Sequence, residues 1–194
     1  MEFNMANPTL WQIEMLPWYA FGIYWVVTAL RVKKTQSSEP PAARLFTMAV
    51  MGFAFVLLFS HYFHDGVLGE RFLARNIAIE RVGVVMTYLG AAIGIWARTI
   101  LGGNWSAQIT LKVDHHLIRS GPYAHVRHPI YTGILLAIAG TAIMTGEWRG
   151  LLALVLAAVS LGLKARREET LMISVFGTQY QQHRQNTGFL LPKL

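Results

Sequence analysis

Apolar residues gather in five stretches almost free of charge: Met15–Leu30, Leu45–Ser60, Val82–Ala97, Ile130–Gly146 and Gly150–Leu163. A helix that crosses a bilayer needs about 20 mostly apolar residues, within a range of about 17–25. The first four stretches reach that length once flanking Trp, Tyr and Phe are included. The fifth is shorter and must tilt or extend at its C-terminal end. The pattern predicts an all-α integral membrane protein of about five transmembrane helices. They form one membrane domain, 1–194, with N-terminal helices in 1–97 and a helical hairpin plus a charged C-terminal segment in 98–194.

The elements follow in order. Helix one is expected over Leu10–Leu30, with Pro17 kinking or starting it. The run VKKTQSSEPPAAR is a polar linker. Helix two covers Leu45–Phe63, with His61 and His64 at its end as interfacial residues. The loop to Asn76 is expected to hold a short amphipathic helix. Helix three spans Ile77–Leu101, and its Gly90–Gly94 spacing suggests close packing against a neighbour. Gly102-Gly103-Asn104-Trp105-Ser106 stops it. Ala107–Val113 alternates loosely and reads as extended. Gly121-Pro122-Tyr123 is a turn, and Pro129 suits the first turn of helix four. Glu147-Trp148-Arg149-Gly150 is a tight turn. Helix five returns and continues as the charged segment Lys164–Phe176. Phe176-Gly177 breaks it before a last helical piece over Thr178–Asn186.

Composition sharpens this picture. The chain is 54% hydrophobic but only 14% charged, against about 25% charged in a soluble domain. Too little polar surface remains to cover a soluble bundle of such helices. Cysteine is absent, which removes disulfides, thiolate metal sites and a nucleophilic thiol. No Lys or Arg precedes the first apolar stretch, so the N-terminus does not read as a signal peptide.

The net charge of +7 matters for its placement. The segments Arg31–Arg44, Arg98–His128 and Lys164–Leu194 carry thirteen basic residues; the intervening connections carry four, Arg71, Arg75, Arg81 and Arg149. Basic loops stay in the cytoplasm. The expected topology is multi-pass, with the N-terminus outside, the C-terminus cytoplasmic and a prokaryotic inner membrane as its setting. The same alternation with membrane spans argues against nucleic-acid binding.

The polar residues concentrate in Gly103–Tyr131, which holds four of the seven histidines. A hairpin of helices four and five brings its two ends to one face. His125, Arg127, His128 and Tyr131 then lie near Lys164, Arg167, Glu168 and Glu169. Such a convergence of ionisable groups is a site hypothesis. A zinc site built on His115, His116, His125 and His128 is the rival reading, but the basic surroundings oppose a cation and no acidic ligand has matching spacing. Solvated helix faces and interfacial anchoring are the bland readings of Glu168–Glu169 and of Arg127.

The residues also carry a family resemblance. The matching runs are Gly103-Asn104-Trp105-Ser106, Leu117-Ile118-x-Ser120-Gly121-x-Tyr123 and Arg127-His128-Pro129-x-Tyr131. They are followed by Glu168-Glu169-Thr170-Leu171, Phe176-Gly177-x-x-Tyr180, Thr187-Gly188 and Leu191-Pro192. The chain resembles the isoprenylcysteine carboxyl methyltransferases, grouped with phospholipid N-methyltransferases, well over about 98–194 and only in hydropathy over the first two helices. The resemblance implies S-adenosylmethionine as methyl donor in an enclosed cytoplasmic pocket, and no metal. It implies Gln108, His115, Leu117, Ile118, Tyr123, His128, Pro129, Tyr131 and Glu168 as cofactor contacts. A carboxylate such as Glu168 can pair with the donor's ammonium, and aromatic faces attract its sulfonium.

The resemblance further implies an amphiphilic acceptor, a prenylated small molecule or lipid, that reaches the site from the membrane. The expected reaction is methylation of an isoprenylcysteine-like carboxylate. Where the family often has Arg four residues before Glu168, this chain has Lys164, which keeps the charge but loses the bidentate fork; Arg167 is the alternative. Lys164 and Arg167 are thus the expected acceptor-facing catalytic residues. An amine acceptor must lose a proton, and Glu169 or His128 is then the candidate base. The rival readings are a phospholipid or lipid-amine N-methyltransferase, and a non-enzymatic small membrane protein such as a transporter subunit. Transport predicts ionisable groups at mid-membrane depth, and the spans carry almost none.

Overall fold

The computed structural model describes residues 8–29, 35–38, 40–102, 110–112 and 117–193. Five long helices run up and down: α1 Pro8–Ala29, α2 Pro41–Phe59, α3 Ile77–Leu101, α4 Pro129–Thr145 and α5 Trp148–Phe176. A short α6, Thr178–Asn186, follows. The helix boundaries track the local chemistry. Pro40 and Pro41 start α2 four residues earlier than hydropathy suggests, because a first-turn proline loses no hydrogen bond. Asn76 caps α3 by accepting from the Ala78 N–H at 2.8 Å, which satisfies one of the orphan donors of a helix start. Gly146 ends α4 in the left-handed region, at φ 63°, and α5 begins two residues later.

The fold is helical as expected, with one short two-stranded ribbon where Ala107–Val113 reads as extended. Thr35–Ser38 (β1) pairs antiparallel with Thr110–Lys112 (β2), joining the first polar linker to the central one. One expectation needs correction: the loop between α2 and α3 contains no amphipathic α-helix. It holds two single 3-10 turns, His61–Phe63 and Val67–Gly69, the first started by Ser60 accepting from the Tyr62 N–H. The loop carries two glycines and little apolar periodicity, so nothing favours a longer helix there.

The most extensive packing joins α3 to α4 through glycines. A Cβ on Gly90 would lie 2.4 Å from the Ala137 nitrogen and 2.5 Å from the Gly133 oxygen. One on Gly140 would lie 2.4 Å from the Thr87 hydroxyl and 2.5 Å from the Gly83 oxygen. The two backbones therefore touch, as small-residue seams between membrane helices permit. The Gly90–Gly94 spacing read from the sequence belongs to this seam. Residues Gly83, Gly133 and Gly140 complete it.

The bundle is turned inside out relative to a soluble one. On α5, Leu152, Val155, Val159 and Leu163 form an exposed stripe, while Ala153, Ala157, Ser160, Leu161 and Ala165 face inward. Apolar stripes with no protein partner need an apolar solvent. Among the described residues three helices, α2, α3 and α5, are long and apolar enough to cross a membrane, and α4, at 17 residues, is an apolar helix just short of that length. The chain is an integral membrane helical bundle.

One carboxyl sits inside it. Glu14 of α1 is fully buried, and its Oε1 accepts from the Thr87 hydroxyl at 2.5 Å and the Thr141 hydroxyl at 2.7 Å. Trp18 Nε1 donates in turn to Thr141 at 3.0 Å. This small polar knot ties α1 to the α3–α4 pair.

The end of the bundle that holds the α2–α3 and α4–α5 connections is closed by charge. Buried Arg149 pairs with Glu147 and donates to the Leu57 oxygen at 3.0 Å and the Ser60 oxygen at 2.5 Å. It thereby satisfies carbonyls that the end of α2 leaves open. His64 lies 3.4 Å from Glu147 and 3.2 Å from Arg149. A cavity of about 110 Å³ lies here, lined by Trp11, Phe59, His61, His64, Thr145, Glu147 and Arg149. The polar site lies at the opposite end.

Candidate active site

The start of α4 and the later turns of α5 meet at the other end, as a hairpin requires. His128 is the N-cap of α4, Pro129 its first residue and Tyr131 stands in its first turn. Glu168 and Glu169 come from α5, beyond its apolar stretch. The phenol of Tyr131 donates to Oε1 of Glu168. His128 Nδ1 lies 3.4 Å from Glu168 Oε2, and its Nε2 lies 3.5 Å from Glu169 Oε1. The His128 and Tyr131 rings are parallel, 5.6 Å apart. Lys164, one turn before Glu168, places its ammonium 5.7 Å from the centre of the Tyr131 ring, within cation–π range.

The two adjacent glutamates face different partners. Glu168 meets Tyr131 and His128 and keeps partial exposure, with 22% of its side chain accessible. Glu169 is buried, its Oε1 2.5 Å from Arg127 Nε and its Oε2 3.5 Å from Arg184 Nε. Arg127 also donates to the Arg184 oxygen at 3.1 Å and to the Thr187 oxygen.

The C-terminal residues close one side of this cluster. Thr187–Leu190 runs beside His125–His128 as a strap, with Val126 and Gly188 bridged in parallel. Arg127 N–H donates to the Gly188 oxygen at 2.9 Å, His128 N–H to the Phe189 oxygen at 3.3 Å, and Gly188 N–H to the His125 oxygen at 3.0 Å. The Thr132 hydroxyl donates to the Leu190 oxygen at 2.6 Å. Phe189 meets the His128 ring edge-on at 5.3 Å.

Electrostatics follow from this packing. Burial pulls the His128 pKa down, but hydrogen bonds and charge from Glu168 and Glu169 outweigh it, and the net shift is upward. The imidazole therefore holds its proton more firmly than a free histidine. Burial, reinforced by the Glu168 charge, pushes the Tyr123 phenol up and keeps it neutral. His183 on α6 shifts down, through burial and then through Arg119 and Arg127.

The structure gathers most of the expected site residues. Tyr123 is buried, packed with Ala97 and Ile130 and with the half-buried Ile118 and Tyr131. Leu117 is half-buried, and Pro129 is fully buried at the start of α4. Gln108 and His115 lie outside the described residues. Arg167 points elsewhere: its Nη2 donates to the Thr47 hydroxyl on α2 at 3.2 Å and its Nε to the Leu163 oxygen at 3.3 Å. Of the two acceptor-facing candidates, Lys164 is the one beside Tyr131. Among the described residues no three His, Asp or Glu side chains group to hold a metal.

Sequence reasoning underrated Arg127 and overlooked Arg184 and the strap. Thr187-Gly188 was visible as a matching run, but nothing in the sequence alone says that it folds back on the start of α4.

Comparison with known proteins fits this geometry. The model of the isoprenylcysteine carboxyl methyltransferase (ICMT) family matches residues 83–174, from α3 through the Glu168–Glu169 pair. The protein-S-isoprenylcysteine O-methyltransferase of Schizosaccharomyces pombe is 32% identical over 80 residues, covering 41% of this chain and 34% of that protein. The enzyme of Tribolium castaneum is 29% identical over 117 residues, covering 59% of this chain and 42% of that protein. This chain thus spans well under half the length of these two relatives. A solved structure of the eukaryotic intramembrane Ras methyltransferase ICMT has the same fold, with a TM-score of 0.58 over 96% of this chain and 68% of that one, at 20% identity. The resemblance read from the motifs stands.

Proposed function

We propose that the chain is a membrane-embedded, S-adenosylmethionine-dependent methyltransferase whose acceptor is the carboxylate of an isoprenylcysteine-like amphiphile. One observation carries the reading. Glu168 meets Tyr131, 37 residues earlier, and His128 in a partly accessible cluster inside the span that the family model matches. The donor set suits the proposed donor. Glu168 supplies a carboxylate for its ammonium, and Tyr131 an aromatic face for its sulfonium. Ile118 packs against the buried Ala97–Tyr123–Ile130 cluster on the adjoining apolar side. When bound, the donor supplies an electrophilic methyl group on sulfur.

The residues of this chain bind, orient and exclude water. Tyr131 and His128 fix the Glu168 carboxylate from two sides, so its orientation is set before a ligand arrives. Lys164 presents a cation beside the same ring, suited to an acceptor carboxylate. Such an acceptor needs no general base, and positioning can supply about 7–11 kcal/mol of barrier lowering. The groups present disfavour the amine chemistry. His128 is held between Glu168 and Glu169, and Glu169 is engaged by Arg127 and Arg184. Neither is poised to accept a proton.

In the proposed topology, all five long helices cross the bilayer. The N-terminus lies outside, and the site and the C-terminus face the cytoplasm. The acceptor arrives laterally from the lipid. Labelled-methyl transfer by the detergent-purified protein tests the reading, with a prenylcysteine analogue and phosphatidylethanolamine as competing acceptors. The reading predicts transfer to the prenylcysteine. Transfer to the amine lipid alone would overturn the acceptor assignment, and transfer to neither would count against the enzyme.

A further inference from the structure

We propose that Glu169 is a positioning residue that, through Arg127, latches the strap Thr187–Leu190 against the start of α4 and so holds one wall of the donor pocket. The inference rests on the proposed donor site and gives its two adjacent glutamates separate tasks.

The geometry makes the latch continuous. Glu169 fixes the Arg127 guanidinium through Nε, and the same guanidinium donates through Nη1 to the Arg184 and Thr187 oxygens, where α6 passes into the strap. Buried charge-assisted contacts of this kind are strong and directional. The strap then pairs with the backbone on both sides of Val126. Phe189 rests edge-on against His128, and His128 faces Glu168. Displacement of the strap therefore removes the support of the ring that orients Glu168.

Glu169 reaches that cluster through His128, whose Nε2 lies 3.5 Å from its Oε1. It is 7% exposed, and each carboxylate oxygen meets an arginine. A group so enclosed acts on ligand binding through the wall it holds and not by contact with the reacting atoms.

Two variants test the latch in the full-length, detergent-solubilised chain. Glu169→Gln removes the charge and keeps the shape. Gly188→Ala leaves both glutamates and Arg127 intact, but its Cβ would fall 1.6 Å from the Leu191 oxygen, so the strap must shift. Hydrogen exchange at the Arg127, His128 and Gly188 amides reports the strap directly. S-adenosylhomocysteine affinity and the split between donor KM and kcat report its consequence. Both variants are expected to speed exchange and to weaken S-adenosylhomocysteine by about 10-fold or more, the scale of one lost charged hydrogen bond. The kcat at saturating donor should stay within about threefold.

Native exchange in Glu169→Gln would overturn the proposal. So would a fall in kcat with unchanged donor KM, which marks a direct part in transfer, or a loosened strap in Gly188→Ala with native ligand affinity. Should Glu169→Gln fail to fold, Arg127→Lys, which keeps the charge but not the fork, carries the same expectations. Failure of the wild type to bind S-adenosylhomocysteine sinks the donor-site reading instead, and the exchange experiment still decides whether the latch exists.

Discussion

Tyr131, in the first turn of α4, donates its phenolic hydrogen to Glu168 on α5, 37 residues later. This contact crosses the hairpin where the polar start of one helix meets the charged extension of the next. Tyr131→Phe removes the donor while His128 still faces the carboxylate. S-adenosylhomocysteine affinity is expected to fall by about 10-fold or more, the lower end of the worth of a charged hydrogen bond, with folding retained. Titration calorimetry on the variant checks this, and unchanged affinity would separate the contact from donor binding.

The α3–α4 seam predicts a sharp contrast between glycines. At Gly90 a side chain would meet backbone atoms, whereas at Gly162 on α5 a Cβ meets nothing within 4 Å. Gly90→Val should destabilise by several kcal/mol through helix separation. Gly162→Ala should be neutral or stabilise by up to about 1 kcal/mol, as a helical glycine replaced without strain does. Thermal unfolding in detergent compares them, and equal effects would contradict the packing.

Arg149 separates stability from chemistry. Arg149→Met strips the buried Glu147 of its cation and leaves the Leu57 and Ser60 oxygens without this donor. A loss of about 3–5 kcal/mol is expected, as for other broken buried pairs. The residue lies at the end of the bundle remote from the site, so molecules that remain folded should bind S-adenosylhomocysteine with native affinity. A specific loss of binding at native stability would mean that the two ends are coupled.

The raised pKa of His128 sets a pH dependence. The folded state favours the protonated ring, so this stabilisation is fully present below the ordinary histidine pKa, about 6.5. It is lost as pH rises through the higher folded value. His183, shifted down, acts in the opposite sense and weakens the fold as pH falls below about 6.5. The melting temperature should therefore decline on the alkaline side, and His128→Asn should flatten that decline. An unchanged alkaline slope in the variant would assign it to another group.

Much of this was legible in the sequence because hydropathy and punctuation are local. The bounds of α3, the Pro129 start, the break at Gly177 and the return of α5 follow from residue type at each place. The meeting of Tyr131 and His128 with Glu168 followed from hairpin logic alone. What the sequence hid depends on tertiary direction. Arg167 and Glu168 are neighbours, yet the helix turns one toward α2 and the other toward α4. Glu169 reads like Glu168 until the positions of Arg127 and Arg184 are known. The strap and the Glu14 knot need contacts across more than 50 residues, which no local pattern encodes.

A methyl-donor site at the Glu168 cluster must bind S-adenosylhomocysteine through Glu168. Calorimetric titration of S-adenosylhomocysteine into the purified wild-type protein and Glu168→Ala measures this. Saturable, stoichiometric binding to the wild type is expected, with a loss of at least about 10-fold in the variant, since an ammonium left without its carboxylate loses a charged hydrogen bond. No binding to the wild type, or equal binding to both proteins, would contradict it.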